Sequence, residues 1–149
     1  MNRPLALVNG AALAALVLGS LAGWTGLPLH LDPTTRLVTG SLTAGLIAAQ
    51  WALTLGRTTF QRSGRSWDRW VATHRALGYA LPAAVWAHTA HLGYGLLAVL
   101  PLSLLSAALL GTALDTEAGK RRFLSAHIVL AGLTAAATAV HLYMVIAYN

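Results

Sequence analysis

The chain predicts an all-α fold, a polytopic bundle of membrane-spanning helices, and three observations carry that prediction. Of its 149 residues, 56% are hydrophobic and only 9% charged, against roughly 25% charged in soluble domains. Several apolar runs reach the ~20 residues that cross a hydrocarbon core. Lys and Arg gather in the short segments between those runs, where they set membrane orientation. The formal charge of +6 and the pI near 10.9 therefore read as topology, and no nucleic-acid partner is expected. The chain has no cysteine, which excludes disulfides, thiolate-held clusters and covalent haem attachment through Cys-x-x-Cys-His.

A single domain over 1–149 is expected, with five transmembrane helices. The first covers 4–23. Arg3, the apolar run 5–18 and Ser20-Leu21-Ala22 resemble a signal peptide, and the segment is read as a retained helix. A polar turn follows, containing Pro28, His30 and the helix-start signal Asp32-Pro33-Thr34-Thr35, before a second span over 37–55. The most polar stretch, 56–69, carries Arg57, Arg62, Arg65 and Arg69. The third span covers 70–92, with a bend predicted at Pro82. Gly93-Tyr94-Gly95 is a turn signal, so 96–114 becomes a fourth span. A polar loop over 115–122 leads to the fifth, 123–148.

An alternative treats 70–114 as one span and a long loop, giving four helices. Charge decides between the two. With five spans and a cytoplasmic N-terminus, nine of the ten Lys and Arg face the cytoplasm and only Arg36 lies outside; with four spans the inside count falls to six. The positive-inside rule favours five. The expectation is a multi-pass protein of the plasma (inner) membrane.

Four of the six histidines form two equally spaced pairs: His74 with His88, and His127 with His141, each 14 positions apart. On a helix, 14 positions is just short of four turns, so the second ring returns to nearly the same face about 21 Å further along. Intramembrane ionisable groups are costly and usually functional. Two such helices can clamp two flat ligands at two depths, and haem with axial histidines on both sides fits that layout. Parallel third and fifth helices pair His74 with His127 at the inner iron and His88 with His141 at the outer. The four-span model swaps the partners. Bare zinc fits poorly, since two histidines fall short of four ligands.

Four positions from each ligand the residue is small: Gly78, Ala84, Ala131 and Ala137. Residues at that spacing share a face, leaving room for a macrocycle edge. His91 is a substitute for His88 as outer ligand, although only His88 preserves the 14-residue interval. Arg75, Arg121 and Arg122 flank the inner ligands and suit haem propionates, or serve as positive-inside anchors. Trp67, Trp70, Tyr94, Tyr143 and Tyr148 fall at interfaces, as an aromatic belt would.

His74-Arg75-Ala76-Leu77-Gly78 followed by His88, and Lys120-Arg121-Arg122-Phe123 leading into His127 and His141, resemble the ferric reductase-like transmembrane family. Similar pairs also occur in the haem-binding helices of cytochrome b. The resemblance covers about 67–143. It implies two b-type haems passing electrons across the membrane, His74 and His127 on the inner one and His88 and His141 on the outer. The family's flavin and nicotinamide-binding part has no counterpart here, and no Gly-rich dinucleotide fingerprint is present. An electron-donor subunit or quinol, an outer-side acceptor and the lipid bilayer are the expected partners. Direction of flow and oligomeric state stay open. A quinone-reactive anchor subunit, with Gln50 as its intramembrane polar group, and a haem-free structural protein are the rival readings.

Overall fold

The computed structural model describes residues 8, 11, 14, 15, 18, 32–59, 65–89, 96–114 and 117–148. Among these residues the chain is all-helical, with no strand. Four helices are defined: α1 (Pro33–Thr59), α2 (Arg65–His88), α3 (Leu96–Ala113) and α4 (Glu117–Tyr148). The expected first span, 4–23, lies outside the described residues except at five positions, which are helical. The Gly93-Tyr94-Gly95 turn and His91 also lie outside them. A helix end at His88 and a new start at Leu96 nevertheless rule out one unbroken helix through this region.

Each boundary has a local cause. Asp32 caps α1: its Oδ1 accepts the Thr35 amide at 3.0 Å and its Oδ2 accepts the Thr35 hydroxyl at 2.6 Å. Pro33 follows at the first helical position, where its missing N–H costs nothing. The helix therefore begins four residues before the expected 37. The segment 117–122, expected as loop, is the first turn and a half of α4. Glu117 sits where the helix dipole favours a carboxylate and pairs with Lys120 at 2.6 Å. Lys and Arg are themselves good helix formers. α2 starts at Arg65 rather than 70 and runs unbroken past Pro82.

Two helical stretches, Pro33–Gly56 and Glu117–Tyr148, are long and apolar enough to cross a membrane, while Leu97–Ala113 is apolar but shorter. α2 does not reach that standard, because Asp68, Arg69, His74 and Arg75 occupy its first half. α4 turns large apolar side chains outward, among them Val129, Tyr143 and Ile146.

Close packing joins α3 to α4, α1 to α2 and, less extensively, α2 to α3. The core gathers Ile47 of α1, Leu81 and Val85 of α2, and Leu104 and Leu105 of α3, with Leu46 and Trp51 against it. Buried hydroxyls turn back onto their own helices: Thr134 onto Leu130 O and Thr138 onto Thr134 O, both at 2.8 Å. This is how threonine satisfies its hydroxyl inside an apolar bundle.

Candidate functional site: two histidine pairs

α2 and α4 are absent from the closely packed helix pairs, yet they face each other through their histidines. The rings of His74 and His127 have centroids 6.4 Å apart with planes at 80°. Those of His88 and His141 are 6.3 Å apart at 72°. The order along both helices is the same, so α2 and α4 run parallel, as the five-span reading requires. The swapped set is not formed. Fourteen residues of continuous helix put the two pairs about 21 Å apart, with Leu81 and Val85 of α2 in the apolar layer between the two levels.

The separations have a chemical meaning. Two imidazoles binding one metal ion from opposite sides each place a nitrogen about 2 Å from it and a ring centre about 1.1 Å further back, which sets the centroids about 6.2 Å apart. Both pairs sit within 0.2 Å of that spacing. Among the described residues, no three of His, Asp, Glu and Cys come together as a metal site, so each pair offers two protein ligands. The set suits a group that brings the remaining ligands itself.

Neighbouring helices position two of the four rings. His127 Nδ1 donates to Ala107 O of α3 at 2.8 Å, and its Cε1 lies where a Cβ on Gly111 would stand 3.3 Å away. His88 Nδ1 is 3.3 Å from Thr39 Oγ1 of α1, and a Cβ on Gly40 would stand only 2.8 Å from His88 Cε1. His74 and His141 have no ring hydrogen bond among the described residues. The His74 backbone carbonyl accepts from Gln50 Nε2 at 2.7 Å, while Gln50 Oε1 is buried with no partner among the described residues.

The other expected residues are placed as follows. Gly78 makes room for Gln50, whose Nε2 would lie 3.1 Å from a Cβ there. Ala84 lines a groove of about 510 Å³ that it shares with Thr39 and Gly45 of α1, and its carbonyl is 3.2 Å from the Thr43 hydroxyl. These two small residues thus serve the α1–α2 contact. Ala137 is buried and Ala131 half-buried on α4. Arg75, Arg121 and Arg122 have exposed side chains, and Arg122 stacks on Phe123 at 5.5 Å. Thr39, Gly40, Ala107 and Gly111 were not singled out from sequence. The chain matches no family model, no curated protein and no solved structure.

Proposed function

We propose that the chain is a di-haem b-type membrane cytochrome that carries electrons from one membrane face to the other. The observation that carries this reading is the pair of ring separations, 6.4 and 6.3 Å, each close to the spacing of two imidazoles on one metal ion. His74 and His127 would hold one haem b, and His88 and His141 the other. Each group would supply reversible one-electron iron chemistry, suited to electron transfer. The protein's part is to orient the imidazoles, hold the two levels about 21 Å apart and keep water out with the Leu81–Val85 layer. Arg75, Arg121 and Arg122 would meet propionates or anchor the cytoplasmic face. In this reading the chain is a five-span protein of the plasma membrane with its N-terminus inside. It is similar to the ferric reductase-like transmembrane domains, with a separate donor subunit or quinol and an outer acceptor.

Reduced-minus-oxidised spectra with haem stoichiometry on purified protein test it. Two haems per chain are expected, and His88→Ala or His141→Ala removes one and abolishes transmembrane electron transfer. A colourless preparation, or both haems retained in either variant, overturns the assignment. The ring pairs are then edge-to-face contacts, which occur at the same spacing.

Gln50 favours a second reading, a quinone-reactive anchor subunit. Its buried, unpartnered Oε1 can accept a hydrogen bond from a quinol hydroxyl. Inhibition by quinone analogues that is lost in Gln50→Leu would support it.

A further inference from the structure

We infer that α1 and α3 each provide a seat for one imidazole, and that Thr39 positions His88 and through it sets the potential of the His88/His141 site. The inference deepens the di-haem reading and rests on it.

Both seats select the same tautomer. Ala107 O is an acceptor only, so His127 Nδ1 carries the proton and Nε2 keeps its lone pair for a metal. The Thr39 hydroxyl lies 2.8 Å from Thr35 O and gives its proton there. Towards His88 Nδ1, 3.3 Å away, it is therefore an acceptor, and His88 takes the same form. A glycine completes each seat. A Cβ on Gly111 would stand 3.3 Å from His127 Cε1 and one on Gly40 2.8 Å from His88 Cε1, and Gly111 lies four residues after Ala107. A helix carbonyl has two lone pairs, one of them used by the N–H four residues on. A glycine at that later position lets a ring reach the other.

The seats differ in strength. The His127 contact is 2.8 Å, to a backbone carbonyl. The His88 contact is 3.3 Å, to a hydroxyl already engaged with its own helix. An acceptor on the Nδ1 proton raises the basicity of the ligating nitrogen. That favours the oxidised metal and lowers the potential, more so at the stronger seat. Thr39 is the positioning residue through which the His88 site can be altered, because its acceptor is a side chain.

The test is a potentiometric titration of the purified holoprotein in detergent, with Thr39→Val and Thr39→Ser beside the wild type. Two one-electron waves are expected. Thr39→Val moves one wave to higher potential and leaves the other in place, and Thr39→Ser restores the wild-type value. A tenfold change in the site's preference for the oxidised form reads as about 59 mV. Loss of one wave in Thr39→Val, regained in Thr39→Ser, also supports the seat. If Thr39→Val moves both waves alike or moves neither, Thr39 does not position His88 and the inference is overturned. A wild type without haem overturns the di-haem reading itself, a result distinct from either of these.

Discussion

A single methyl group at position 40 tests the seat of His88 most directly. In Gly40→Ala the new Cβ would stand 2.8 Å from His88 Cε1, whereas carbon atoms in contact rest at about 3.5–4.0 Å. The ring must retreat by at least about 0.7 Å to reach the short end of ordinary contact. It cannot do so by sliding α1 along α2, because Thr43 meets Ala84 O at 3.2 Å and Gln50 holds His74 O at 2.7 Å. The retreat also stretches the 3.3 Å contact to Thr39 beyond hydrogen-bond length. Overpacking of this kind costs about 1–3 kcal/mol, against a gain of up to about 1 kcal/mol for replacing a helical glycine.

Gly45→Ala on the same helix is the control, since nothing lies within 4 Å of its Cβ. It takes the propensity gain without the clash, so the two variants should differ by about 1–3 kcal/mol. The assay is thermal unfolding in detergent followed by circular dichroism, with haem content measured on the same preparations. Gly40→Ala should unfold at lower temperature and, on the di-haem proposal, hold less haem at one site. Gly111→Ala, with a 3.3 Å contact to His127 Cε1, should fall between the two. Equal melting and equal haem content in Gly40→Ala and Gly45→Ala would refute the seat.

Two further perturbations probe the frame around the pairs. Thr134 and Ser103 join α4 to α3 through a buried hydroxyl contact at 3.0 Å; Thr134→Val should cost about 1 kcal/mol, and a double-mutant cycle with Ser103→Ala should show coupling, its absence refuting the contact. The Asp32 carboxyl is held below its usual value, chiefly by the Thr35 hydroxyl and then by the Thr35 amide. The cap is therefore present above the unfolded value near pH 4 and is lost as pH falls through the lower folded value. Hydrogen exchange at the first amides of α1 should show that step in the wild type, and its persistence in Asp32→Ala would refute the cap.

The paired histidines and their register were legible in the sequence because both depend on one dimension, the spacing along a helix and the charge between helices. Fourteen positions and parallel helices suffice to set His74 beside His127 and His88 beside His141. The seats were not legible. Gly40 and Gly111 look like any small residue of an apolar helix, and only the rotation of α1 about α2, and of α3 about α4, turns them to an imidazole. Gly78 misled for the same reason: it shares a face with His74 on its own helix, but Gln50 arrives from another helix to fill the space. The start of α4 is hidden in the sequence because the run Glu117 to Arg122 is polar and reads as loop, although Lys and Arg are good helix formers.

The distribution of the seats bears on how such a protein would be built. α1 packs on α2 and anchors His88, while α3 packs on α4 and anchors His127; among the described residues His74 and His141 have no ring hydrogen bond. Every pair thus joins an anchored ring from one helix pair to an unanchored ring from the other. Neither half can close a site alone, but each presents one imidazole already oriented for the partner to meet. The two halves are complementary templates, and co-expressing them as separate chains, divided between His88 and Leu96, should regenerate both ring pairs.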